Sequence, residues 1–412
     1  TWANLQDRGQ ADPPRAFDYK AHLDFLEKHH HNFIRLWRWE FPRWKDNYDK
    51  FTQFHYCAPH PWKRTGPGNA QDGKPKFDLE QLDPAYFERL RARVSAAGDR
   101  GIYVSIMLFE GWALQFALWD GHPFHVQNNV NRINGDPNGD GKGLETHTLQ
   151  VPAMTRIQEA YVRKVVDTVN DLDNVIYEIA NESHKNSVQW QYHVIRFIHD
   201  YEKQKPKQHP VGMTTHGQMG NPVVFDSPAE WVSPAHILEW RNEKDPYKVA
   251  PPPQDGKKVI LLDTDHIWGV GGGREWVWKS FLRGYNPIWM DPYDRGTTAW
   301  DGSIPANADE VRRNLGYTLR YANKMNLAAM TPRNDLASTQ YCLANPGREY
   351  LVYLPEGGEV TVDLTAASGT LTVEWFNPGT GTATDGGTAP GGAKRAFKAP
   401  FGGHAVLYVW RT

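Results

Sequence analysis

Cysteine is nearly absent from this chain. Cys57 and Cys342 are the only two in 412 residues, and at that separation they make neither a disulfide framework nor a zinc site. Long apolar runs are missing as well. No stretch of 18 or more apolar residues occurs, which excludes a membrane-spanning helix. Neither sign of charge dominates: 46 Lys and Arg against 48 Asp and Glu leave a net charge of −2. Nothing therefore draws the chain generally to nucleic acid or to an anionic membrane. No Gly-rich dinucleotide turn follows an early strand. The one glycine cluster, Gly269 to Gly273, comes late, is followed by Arg274 where a last Gly belongs, and reads as a flexible loop. No charged-then-apolar leader opens at Thr1. The abrupt start carries the expectation that a leader, and a first strand, lie upstream.

Aromatics, by contrast, are plentiful. Seventeen Trp is high, and Trp37, Trp39, Trp112, Trp268 and Trp289 fall near expected strand ends. An indole face stacks on the apolar face of a sugar ring, and it fills a core equally well.

Along the chain, strand and helix alternate. Helical spacing covers 17–30, 83–97, 155–169, 188–203, 274–283 and 309–325; β patterns cover 32–40, 102–109, 175–181, 211–215, 258–263 and 287–290, with a weak one at 231–232. Asp83-Pro84 reads as a helix start, and Thr155-x-x-Gln158 as a capping box. Residues 41–76 read as a long aromatic loop. About seven strands with helical crossovers predict an α/β fold, a (β/α)8 TIM barrel over 1–326. Beyond residue 326, short alternating runs between Gly, Pro, Asn and Thr turns predict a small all-β sandwich over 327–412.

The chemistry gathers at two strand ends. Val175 to Ser183 reads as a buried strand ending in Asn181 and Glu182, and catalytic groups sit at the C-terminal ends of barrel strands. Lys258 to His266 is an apolar strand ending in Asp263, Asp265 and His266; strict alternation would send both acids to one side. Glycosidic cleavage needs such a pair, one carboxyl protonated to help the leaving oxygen depart and one ionised to attack or to activate water. Arg35, Trp37, Glu110, His216, His266, Trp268 and Asp291 are further strand-top groups suited to contact a substrate. Arg35 and Asp291 read equally as buried salt-bridge partners, and the two histidines as structural. Asp136, Asn138 and Asp140 mimic the first half of a calcium loop, but His147 stands where the bidentate Glu belongs; the alternative is a plain turn.

Tyr177 to Glu182 resembles the Asn-Glu signature on the fourth strand of clan A glycoside hydrolases. The resemblance implies that Glu182 is the acid/base and that Asn181 holds a sugar 2-hydroxyl. Asp263 falls at the position of the clan's strand-seven nucleophile, which is there a Glu, so Asp263 and Asp265 both stand as the second acid. A retaining mechanism is the expectation and inversion the alternative. Arg35 resembles the clan's strand-two arginine. More specifically, Thr1 to Gly9, Phe33 to Glu40, Val259 to Gly269 and Asn286 to Tyr293 resemble the barrel of apiosidase-like proteins. Cys342 to Leu354 and Glu374 to Pro378 resemble the β-domain labelled collagen-binding that follows it. What this implies is a secreted or cell-envelope glycosidase acting on plant or microbial polysaccharides or oligosaccharides, without a required cofactor. A non-catalytic carbohydrate-binding barrel is the alternative, and a metal-dependent hydrolase using Glu182, Asp263, Asp265 and His266 a third.

Overall fold

The computed structural model describes residues 1–45, 53–215, 219–293 and 304–411. Eight βα units follow one another. The strands are Trp2–Asn4 (β1), Phe33–Trp37 (β2), Tyr103–Glu110 (β3), Val175–Asn181 (β4), Val211–Thr214 (β5), Trp231–Ser233 (β6), Val259–Asp263 (β7) and Asn286–Ile288 (β8). Each is followed by a helix: Tyr19–Lys28 (α1), Pro84–Gly98 (α2), Pro152–Val169 (α3), Val188–Glu202 (α4), Asn221–Phe225 (α5), Pro246–Val249 (α6), Arg274–Leu282 (α7) and Ala308–Lys324 (α8). The strands lie in sequence order in one eight-stranded sheet, and the registered pairs run parallel. This is the topology of a (β/α)8 barrel. The strand expected upstream of Thr1 is not needed to complete the eight, since Trp2–Asn4 supplies it.

Why these segments fold so is visible locally. β3 is buried from its second residue to its last, and β4 nearly so, as strands covered on both faces must be. Asp83 caps α2 by accepting from the Ala85 amide at 3.1 Å, with Pro84 in the first turn. The capping box expected at Thr155 is not used. Pro152 presets the first turn of α3, so Thr155 and Gln158 fall inside the helix. Gln158 is buried instead, donating to the Thr146 carbonyl and accepting from the Trp190 indole.

The described residues of 41–76 are more ordered than expected. Asp7–Gly9, His55–Ala58 and Arg43–Trp44 form a three-stranded antiparallel sheet, and Trp62–Asn69 pairs with Pro75–Leu82. Gly, Pro and charged residues hide the alternation in both arms of that hairpin.

The described residues group into two compact units, one of Thr1–Phe25, Asn32–Ala235 and Asp291–Ile304, the other of Leu26–His31, His236–Met290 and Pro305–Thr412. The expected boundary at residue 326 lies inside the second. There, a six-stranded antiparallel sheet and a two-stranded one follow α8. Alternation explains how the larger sheet uses both faces. Tyr350, Val352, Leu407 and Val409 pack with Val360 and Val362 of the small sheet. Leu351, Tyr353, Val406 and Tyr408 turn the other way, onto Trp278, Phe281 and Leu282 of α7, Tyr321 of α8 and Met325 just after it. The Tyr321 hydroxyl and Lys324 ammonium both bond to Glu374. Cys57 and Cys342 are free and buried. No helix among the described residues is long and apolar enough to cross a membrane.

Candidate functional site

The C-terminal ends of β2, β3 and β4 carry a dense polar network. Arg35 of β2 is buried and grips Glu178 of β4 through two bonds, Nε to Oε2 at 3.0 Å and Nη2 to Oε1 at 2.6 Å. The same Nη2 donates to Asn181 Oδ1 at 2.9 Å. A bidentate pair of this kind fixes orientation as well as charge. The salt-bridge reading of Arg35 is the one its geometry matches, and Asn181 is oriented by it.

Glu110 ends β3 opposite Asn181 in register. Both of its oxygens accept backbone amides, those of Trp112 and Ala113, and so start the short helix Gly111–Phe116. It is fully buried, engaged by its own chain and not open to a ligand. Burial, aided by the nearby negative charge of Glu40, pushes its carboxyl up to about 8, against the opposing pull of the Ala113 and Trp112 amides and the Asn181 side chain. A carboxyl raised on folding stabilises in full below its unfolded value and loses that contribution as pH rises toward and past the folded one. The Glu110→Gln variant is therefore expected to gain stability relative to the parent between about pH 4.5 and 8, by on the order of a few kcal/mol. Urea unfolding at several pH values measures that slope.

Glu40, which lies beyond the end of β2, was not singled out from the sequence. It is buried and accepts from the Glu110 amide at 2.8 Å, from His147 Nε2 at 3.0 Å and from His122 Nε2 at 3.3 Å, with Arg38 3.8 Å away. Burial would raise its carboxyl, but Arg38, His147 and the two imidazole bonds outweigh it and hold the group well below the usual range.

Glu182 follows β4 directly. It is half-buried and its backbone is left-handed, at φ +44°. For a residue with a side chain that conformation costs about 1–3 kcal/mol and persists only where the surroundings enforce it. They do: the Glu182 carbonyl accepts from Gln115 Nε2 at 2.6 Å, Ser183 Oγ meets His147 Nδ1 at 3.0 Å, and His184 Nε2 meets the Leu144 carbonyl at 2.9 Å. Gly111 is required here, since a Cβ on it would overlap Ser183.

In the second unit, Asp263 ends β7 and turns its Oδ1 onto the Asp265 amide at 2.9 Å. It thereby caps the 3-10 turn Thr264–His266. Strict alternation therefore does not continue to Asp265, which sits in the turn and not on the strand. Asp265 Oδ2 lies 3.9 Å from His266 Nε2. Trp268 is half-buried, donates to Glu243 at 3.1 Å and carries the Lys248 ammonium over its ring. Asp291 is fully buried. His216 lies outside the described residues.

Trp37 is not placed to contact a substrate. It is buried in a row of rings: Trp2 at 4.8 Å, Trp39 at 5.4 Å, then Trp44 at 5.4 Å from Trp39. Asp136, Asn138 and Asp140 form a tight turn in which the amides of Gly141, Asp140 and Lys142 bond to their side chains. Asn138 donates to Glu145 at 2.6 Å. One oxygen each of Asp136 and Glu145 is buried without a hydrogen-bond partner, a hard-oxygen set of the type calcium takes.

The family described as "Putative collagen-binding domain of a collagenase" matches residues 330–407. No curated protein matches the chain. Among solved structures the chain is similar to one described as "Glycoside hydrolase", at 12% identity and TM-score 0.61, covering 96% of this chain and 89% of that one. It is also similar to a glycoside hydrolase family 5 protein from Bacteroides vulgatus ATCC 8482, at 13% identity and TM-score 0.61, covering 99% and 89%. At such identities the likeness is one of fold, barrel and trailing β module together. A further match runs over residues 45–260, more than half of the 412, through every strand end from β3 to β6. By that match the chain belongs to the family described as "Domain of unknown function (DUF6298)".

Proposed function

We propose that this protein is a glycoside hydrolase of the apiosidase-like kind, acting outside the cytoplasm on plant or microbial polysaccharides or their oligosaccharides. Glu182 serves as the general acid/base and Asp265 as the second carboxylate. The observation that carries the reading is Glu182 itself. A half-buried carboxylate at the end of β4 stands on a strained backbone, and strain of that kind collects at functional sites. Asn181 beside it, oriented by Arg35, suits a sugar hydroxyl. Asp265 is preferred to Asp263 because the Asp263 carboxylate is already used to cap the following turn.

In this reading the acid/base carboxyl protonates the departing glycosidic oxygen while the ionised partner attacks the anomeric carbon, and water then releases the sugar. His266 and Trp268 follow the second acid and are proposed as substrate contacts. The test is a screen of purified protein against aryl-glycosides and cell-wall glycans, with Glu182→Gln as control. Turnover in the parent and none in the variant supports the proposal. Sugar affinity without turnover in either selects the binding barrel instead. Activity that survives a strong chelator removes the metal-dependent route. The anomer released first, read by NMR, separates retention from inversion.

No step above uses a cofactor. For the Asp136, Asn138 and Asp140 turn we propose at most a structural calcium, which would compensate the two unpartnered oxygens. A melting temperature that rises with added calcium and falls with chelator is the expected result.

A further inference from the structure

A buried chain of three side chains ends beside Glu182. Glu40 Oε1 meets His147 Nε2 at 3.0 Å, and His147 Nδ1 meets Ser183 Oγ at 3.0 Å. None of the three is exposed: Ser183 and His147 stand at 0% and Glu40 at 1%. The order of groups is that of a serine hydrolase, but no substrate reaches a hydroxyl that is wholly covered and pressed against Gly111. The three must do something other than nucleophilic attack.

One proton is fixed by elimination. The Glu40 carboxylate is held ionised and only accepts. His147 Nε2 is therefore the donor to it, and the other ring nitrogen, Nδ1, shares a hydrogen bond with the Ser183 hydroxyl. The imidazole cannot tilt to escape either bond, because it lies flat on Trp190, with centroids 4.4 Å apart and planes 5° from parallel. Ser183 is thus held by a ring that is itself held on both nitrogens and one face. The residue so fixed is the one immediately after Glu182, whose φ of +44° must be enforced from outside. On the other side Gln115 anchors the Glu182 carbonyl.

We infer that His147 is a positioning residue, which acts through Ser183 to lock Glu182 in its left-handed conformation and so aim its carboxylate. This rests on the reading of Glu182 as the acid/base. It gives the long loop between β3 and α3 a task, since that loop supplies His147.

Ser183→Ala cuts the chain at its last link and leaves the Glu40–His147 bond in place. On a substrate found in the glycoside screen, the variant is expected to lose about 10- to 100-fold in kcat with KM within about twofold, as misplacement of a catalytic group would give. The limb of the pH profile that belongs to Glu182 should move with it. His147→Gln should reproduce the same split between kcat and KM. A crystal structure of Ser183→Ala provides the readout that needs no activity: residue 182 is expected to leave the left-handed region. Wild-type kcat in a folded Ser183→Ala variant, or residue 182 still left-handed in its crystals, overturns the relay. If Glu182→Gln also turns over normally, the acid/base assignment falls as well; if Glu182→Gln is dead, only the relay is lost.

Discussion

Glu182→Gln is expected to lower turnover by about 10²- to 10⁴-fold while leaving sugar affinity near that of the parent. The range is what one positioned general acid/base contributes. Gln keeps the length and polarity of the side chain, so the left-handed backbone and its bonds to Gln115 and through Ser183 survive. What is lost is the transferable proton. The effect should fall on kcat far more than on KM, because the missing interaction is made only as the glycosidic bond breaks. An activated substrate whose leaving group departs without protonation should lose less, which makes the comparison of a nitrophenyl with an alkyl glycoside the sharper measurement. Equal loss on both would argue against acid catalysis by this residue.

The second large effect is on stability. Arg35→Met is expected to cost about 3–5 kcal/mol, the range for removing one partner of a buried ion pair. Glu178, at 0% exposure, would then be left buried with its two guanidinium bonds gone, and Asn181 would lose its orienting donor as well. Replacing both members, Arg35→Met with Glu178→Met, should recover much of the loss, since no charge is then stranded. Chemical denaturation of the two variants side by side checks this. A double variant no better than the single would mean that the pair matters for packing and not for charge.

Much of the barrel was legible because βα units repeat a strong local signal. β3 and β4 are long, apolar and bounded by turns, and Asp83 marks a helix start by type alone. β1 was illegible for the opposite reason: Trp2–Asn4 is three residues long, too short to show a period. The candidate site was legible where one strand carries it, as at Asn181 and Glu182. It was illegible where it is assembled from afar, since His147 lies 36 residues from Ser183 and 107 from Glu40. No spacing rule joins them. Glu178 had a signal, an acid inside an otherwise apolar strand, which argues for a buried cation facing it. Trp37 was misread because an indole at a strand end looks alike in sequence whether it meets a sugar or other rings. Asp265 was misplaced because alternation stops where Asp263 bends the chain.

The sheet that follows α8 puts an apolar face against α7 and α8, and this limits how the polypeptide can be shortened or shuffled. Severing it near residue 326 would leave Trp278, Phe281 and Tyr321 facing water, an invitation to clumping. The tail and those two helices therefore form one indivisible block, and a chimera that respects the joint should start its swapped piece before Arg274.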